Sequence, residues 1–188
     1  MKKKILYILY SFLAFISLNS HICFAREDNF AAAKKLESIH FTVFYAPELE
    51  AQQLAKQLNI SMEEKFITGH KFSEENLAQK LDILFEQICN ILDMRLLSYK
   101  GNIKICRDEQ KLIEIYRNLF DKDLGGMRSF YVDSFNTIYI SADSFCKEIL
   151  GHEIAHAVIS HYFVVLPSVK IQEVLAGYVE YQLRKTAK

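Results

Sequence analysis

His152, Glu153 and His156 are the residues whose types and spacing most directly support chemistry in this sequence. They sit in the run Leu150-Gly151-His152-Glu153-Ile154-Ala155-His156-Ala157-Val158-Ile159. Residues four apart share one face of an α-helix, so the two imidazoles can offer nitrogens to a single metal ion. Glu153 lies one step round the helix, within reach of a water at that ion, where a carboxylate serves as general base. The intervening residues are apolar, as expected of a helix that is otherwise buried. The bland alternative is a core helix carrying two histidines for packing. Burying two imidazoles and a carboxylate on one face without partners, however, costs free energy.

Two imidazoles do not complete a catalytic zinc site, which takes three protein ligands and keeps one position open. A second helix returning after a short turn can supply the third. Pro167 marks the turn, and Ile171-Gln172-Glu173-Val174-Leu175-Ala176-Gly177-Tyr178-Val179-Glu180-Tyr181 follows it. Glu173 is the candidate ligand, and Gly177 one turn on would leave room for close approach of the two helices. Zinc is inferred from the ligand types, since other divalent ions bind similar sets.

In these residues the chain resembles the gluzincin zinc metallopeptidases, of the MA-like kind, in which HExxH is followed by a glutamate ligand on the next helix. The segment Gln172 to Tyr181 is similar to the corresponding helix of zinc aminopeptidases. There an Asn-Glu pair, with its Glu on zinc, precedes Ala, Tyr, Val and a second Glu at matching offsets. The resemblance implies that Glu173 binds the metal and that Glu180 orients a ligand histidine. It further implies that a strand at Thr137–Ser141 is the edge strand over the cleft, where an extended substrate adds as another strand. Glu180 is seven residues from Glu173 and nearly on the same face, which suits that role; an exposed salt bridge is its other reading.

The chain departs from the aminopeptidase pattern in three places. Sixteen residues separate His156 from Glu173, so the linking turn must be tight. Gly125-Gly126-Met127-Arg128 matches the family's Gly-x-Met-Glu-Asn loop only in part, and Arg128 stands where a glutamate would recognise a free amino terminus. Aminopeptidase specificity is therefore not expected. The sequence also ends soon after the ligand helix, where larger relatives build the lower wall of the cleft and an oxyanion-stabilising Tyr or His. Tyr178, Tyr181 and His161 are the nearby candidates for that role, with packing or surface positions as the alternative. His40 and His70 stand far from the motif and read as ordinary.

The elements that must position this site are legible in outline. Phe41-Thr42-Val43-Phe44-Tyr45 reads as a strand after a polar leader from Arg26 to about Glu37. Helical spacing follows from Glu48 to Leu58. Ser73, with Glu74 and Glu75 behind it, would cap a long helix to about Asp93, whose apolar face includes Leu77, Leu81, Leu84, Phe85 and Ile88. A strand over Asn102–Arg107, a helix over Asp108–Phe120, and short strands near Ser129–Val132 and Thr137–Ser141 come next. Two helices close the chain, from Ser144 to about Tyr162 and from about Ser168 to Lys185. The order predicts an α+β domain, and the resemblance implies its zincin-like form, with a small mixed sheet, an HExxH helix and a following ligand helix.

Length and composition set the context. The 188 residues, 51% of them apolar, suffice for one ordinary core, read as a single domain over residues 26–188. Met1-Lys2-Lys3-Lys4, an apolar run from Ile5 to Leu18 and a polar stretch ending in Cys23-Phe24-Ala25 have the order of a signal peptide cleaved after Ala25. Retention of residues 5–25 as a membrane anchor is the rival reading; either way the rest of the chain lies outside the cytoplasm, periplasmic or secreted. Removing residues 1–25 leaves 20 basic against 23 acidic side chains, a net charge of −3, and no nucleic-acid footprint. Cys89, Cys106 and Cys146 then remain, an odd number without metal-type spacing, so at most one internal pair can form.

Together these readings predict an exported hydrolase, a peptidase that cuts peptide bonds through a metal-activated water with Glu153 as base and a peptide or protein as substrate. The alternative is a zinc-binding module outside the cytoplasm that does not cut, or cuts only when a partner completes the cleft. A membrane-anchored structural protein is a third reading.

Overall fold

A computed structural model of the chain describes residues 28–30, 34–60 and 76–185. The segment read as signal peptide or anchor, the cap at Ser73 and His70 all lie outside the described residues. Among the described residues, five strands and five α-helices form a mixed α+β fold around one small mixed sheet. Strand β1 is Lys34–Glu37, β2 Phe41–Tyr45, β3 Gly101–Cys106, β4 Ser129–Val132 and β5 Thr137–Ser141. The sheet order is β1-β2-β3-β5-β4, with β2, β3 and β5 parallel and the outer pairs antiparallel.

A parallel pair needs a long crossover, and helices supply it here. Helix α1 (Ala51–Gln57) and α2 (Leu77–Leu92) link β2 to β3, while α3 (Glu109–Phe120) lies between β3 and β4. Asn76 caps α2 by accepting the Gln79 N–H at 3.2 Å. Asp108 caps α3 in the same way through the Lys111 N–H at 2.8 Å. Each gives one of the orphan first-turn donors a partner.

Two expectations about the sheet are corrected. The stretch up to Glu37 is not simply a polar leader, because Lys34–Glu37 pairs antiparallel with β2, Lys34 facing Tyr45 and Glu37 facing Thr42. Only Leu36 of this strand packs on the core, so its alternation is nearly invisible among charges that suit an exposed edge. Strand β5 is not the edge: β3 pairs on one side of it and β4 on the other, which makes β4 the edge. All five residues of β5 are buried. Ile138 and Ile140 face one core and Tyr139 the other, the near-continuous burial of a strand covered on both faces.

The larger core joins that first face to α2 and to the last two helices, α4 (Lys147–Tyr162) and α5 (Val169–Lys185). The second is smaller, with Leu112 and Ile115 of α3 against Cys106, Phe130 and Tyr139. Cys89 and Cys106 are buried, Cys146 is half-buried, and all three thiols are free. Burial pushes the Cys89 thiol up to about 11 and Cys106 to about 12, so both behave as small apolar residues.

Helix α4 is the central element, packed against α2, α5, β4 and β5. Leu150, Ile154, Ala155, Ala157, Val158 and Ile159 are buried on it, the pattern of a helix apolar nearly all round. The close approach to α5 falls at Gly151 rather than at Gly177. A Cβ at Gly151 would stand 2.3 Å from Leu183 Cδ1, whereas one at Gly177 would meet nothing within 4 Å. Gly151→Val is therefore expected to cost on the order of 1–3 kcal/mol by overpacking, a loss that denaturant unfolding measures directly.

Candidate metal centre

Helical spacing on α4 turns His152 and His156 the same way, and the second helix returns with Glu173 opposite them. The two Nε2 atoms stand 3.2 Å apart. Glu173 spans them, with Oε2 at 3.4 Å from His152 Nε2 and Oε1 at 3.4 Å from His156 Nε2. These residues form the one His/Cys/Asp/Glu group among the described residues that could hold a metal ion. A tetrahedral zinc site with bonds of about 2.0–2.1 Å sets neighbouring donors about 3.3–3.4 Å apart. One nitrogen from each ring and one carboxylate oxygen lie within 4.8 Å of one another, close enough that small side-chain adjustments bring them to that spacing, so this donor set fits a divalent ion.

The surroundings of the three donors divide by ring. His152 Nδ1 is buried without a hydrogen-bond partner and faces Glu180 Oε2 at 3.6 Å, beyond hydrogen-bond length. The other oxygen of Glu180 accepts from Arg184 Nη2 at 2.6 Å. Glu180 thus faces His152 and makes a salt bridge as well. The His156 ring is hydrogen-bonded by the Gln172 side chain, whose Nε2 donates to the Pro167 carbonyl at 2.8 Å. Gln172 thereby ties the His156 ring to the turn between the helices. Burial, then the neighbouring His152, holds His156 below the usual imidazole range, which favours the neutral ring a metal needs. Gln172→Ala is expected to weaken metal affinity by about 10–100-fold, the usual effect of losing an outer partner, as read by competition with a chromophoric chelator.

Glu153 is 7% exposed, and β4 holds it. Ser129 Oγ donates to Glu153 Oε1 at 2.7 Å, and the Tyr131 backbone N–H donates to the same carboxylate. Burial pushes its pKa up, while the Ser129 hydrogen bond and His152 pull against that shift. A buried carboxyl held by these hydrogen bonds beside the two imidazoles is placed to take up and release a proton.

A cleft of about 620 Å³ opens over these groups. Arg128, Ser129 and Tyr131 line it from the β4 side, and Leu166, Glu173 and Glu180 from the side of the second helix. The three residues weighed as oxyanion stabilisers do not line it. Tyr178 is 47% exposed, and Tyr181 carries Lys185 Nζ over its ring at 4.3 Å. His161 Nδ1 lies 2.9 Å from the Ala157 carbonyl, and its ring meets the Tyr99 ring edge-on at 4.9 Å. The tyrosine that does line the cleft is Tyr131, whose hydroxyl stands 3.1 Å from Ser160 Oγ. His40 is remote from the site, stacked on Phe85 at 4.2 Å with Nε2 3.1 Å from Glu86, so it has partners of its own.

Sequence reasoning missed Ser129, the Tyr131 backbone and Gln172 as supports of the site. The first two carry no motif, because only the pairing of β4 on the sheet edge brings them over α4. Gln172 was adjacent to Glu173 and next to the turn, a position from which it could have been inferred. No protein-family model, curated protein or solved structure matches the chain.

Proposed function

We propose that the chain is an exported zinc-dependent peptidase with a zincin-like, gluzincin-type domain. The observation that carries this reading is the convergence of His152 Nε2, His156 Nε2 and the Glu173 carboxylate at separations of 3.2–3.4 Å, beside the buried Glu153. When bound there, zinc would supply Lewis acidity, acidifying water and polarising a carbonyl oxygen. Glu153 accepts a proton from the attacking water and returns it to the leaving amine. Ser129 and the Tyr131 N–H hold the Glu153 carboxylate in place for both transfers. Gln172 orients the His156 ring, and Glu180, 3.6 Å from His152 Nδ1, takes up the same role for His152 once the two draw into hydrogen-bond range. The edge of β4 that has no strand partner among the described residues offers its main chain to an extended peptide, which adds as a further strand beside the cleft. Arg128 at the cleft places a cation where a free amino terminus would be repelled, which favours internal or carboxylate-bearing segments.

A second reading has an observation behind it. Tyr178, Tyr181 and His161 all stand off the cleft, so a zinc-binding module that cuts only once a partner completes the site would have the same residues. Incubation with a pool of internally quenched peptides separates the two. Cleavage that a chelator stops and added zinc restores supports the peptidase; full zinc loading with no cleavage of any peptide favours the partner-dependent module.

A further inference from the structure

The exposed apolar surface of this chain is concentrated in one region. Among the described residues, ten of the fifteen exposed large hydrophobics fall between Tyr162 and Tyr181. They divide into a protruding turn and a helix face. In the turn, Val164 is 103% and Val165 83% exposed, with Phe163 and Leu166 flanking them. On α5, Ile171, Val174, Tyr178 and Tyr181 are all about half exposed or more. Their spacing of three, four and three residues puts them on one stripe, opposite Ala176, Val179 and Leu183, which hold the helix to the core.

The charges on this surface have one sign. By helical geometry Lys170 and Lys185 fall on the same stripe, one at each end, and both are exposed. The only carboxylates of α5 are Glu173 and Glu180, and both face the histidines on the cleft flank. The stretch from Tyr162 to Pro167 carries no charge at all. A helix with an apolar stripe, tyrosines on it and lysines at its ends matches the chemistry of an interfacial helix, in which aromatic rings sit at headgroup level. No described helix is long and apolar enough to cross a membrane, so the fit is to lying on the surface.

We propose that this face docks on an anionic phospholipid bilayer, with α5 in the headgroup plane and the Phe163–Leu166 turn dipping below it. A bilayer suits the surface better than a second copy of the chain, because pairing two such stripes in either orientation sets lysine against lysine. It also suits it better than an unrelated protein, since Val164 and Val165 form a protruding, highly exposed tip that a soft bilayer admits and a close-packed protein interface receives only in a matching pocket. Leu166 belongs to both the turn and the cleft, so docking brings the cleft mouth to the membrane surface. The inference rests on exposure and charge and holds whether or not the cleft is catalytic.

The chain contains no tryptophan, which gives a clean local probe. Val164→Trp is made in the full-length chain, with Phe120→Trp on the far side of the sheet as control. Both are mixed with vesicles of phosphatidylcholine containing phosphatidylglycerol and lipids brominated high in the acyl chain. The Val164→Trp variant is expected to shift to the blue and lose about half its emission, the quencher depth being that of an interfacial helix. The Phe120→Trp variant should be unaffected, even if the N-terminal apolar run tethers the chain. Adding Lys170→Glu and Lys185→Glu should abolish the quenching of the Val164→Trp variant. Equal quenching of the two reporters, none in either, or a lipid-independent blue shift that grows with protein concentration would each overturn the proposal, the last by assigning the face to a second copy.

Discussion

Replacing Glu153 by glutamine is expected to lower kcat/KM for peptide hydrolysis by about 10²–10⁴-fold while leaving the zinc content unchanged. The amide has the shape of the carboxylate and can still accept the Ser129 hydrogen bond, but it cannot take up a proton. His152, His156 and Glu173 are untouched, so metal binding survives. The same change has a second consequence for the metal-free protein. Burial raises the Glu153 pKa above its ordinary value of 4.5, so the folded state binds this proton more tightly than the unfolded one. Stability from that proton is complete below the unfolded value and is lost as pH rises through the folded one. At neutral pH Glu153→Gln should therefore raise the melting temperature of the metal-free chain by on the order of a few degrees. The gain should shrink as pH falls toward 4.5, where the wild-type carboxyl is protonated too. A variant that loses activity while gaining stability is the signature of a group kept for chemistry at a cost to the fold. Parallel loss of zinc, or full activity, would remove Glu153 from its assigned role.

Glu173→Ala is expected to reduce zinc affinity by more than the about 100-fold upper range for losing an outer-shell partner, because it removes one of three direct donors. Competition titration against a chelator measures it. His152 and His156 would remain 3.2 Å apart on α4, able to bind an ion weakly but without the carboxylate that spans them. Glu173 is half exposed, so its removal leaves no buried cavity and the fold should survive. A variant that keeps zinc at wild-type affinity would show that the ion, if present, is held elsewhere.

Much of the site was legible because its key residues lie close in sequence on two helices. The four-residue spacing of His152 and His156 fixed their common face, and Pro167 with the apolar pattern beyond it announced the returning helix. Strands β2, β4 and β5 were equally readable from β-branched and aromatic runs bounded by turn residues. What escaped was information held in pairing between distant segments. Nothing local to Lys34–Glu37 distinguishes an edge strand from a charged leader, since its order comes from hydrogen bonds to β2. The exchange of β4 for β5 at the edge has the same origin. Two neighbouring strands of similar length do not reveal which of them β3 chooses, although the unbroken burial of β5 is the physical signature of an interior strand. That choice carried Ser129 with it, and so the hydrogen bond that holds Glu153. The close approach of the two helices falls at Gly151 rather than at Gly177, because crossing points between helices depend on packing angles that periodicity does not encode.

The central claim is that His152, His156 and Glu173 hold a metal ion, and the most direct test is the metal content of the folded wild-type chain by elemental analysis after reconstitution with zinc and removal of excess. About one zinc per chain is the predicted result, the capacity of a single three-ligand site. Folded protein that retains no zinc would contradict the account and leave the three side chains as a cluster of hydrogen-bonded packing groups between α4 and α5.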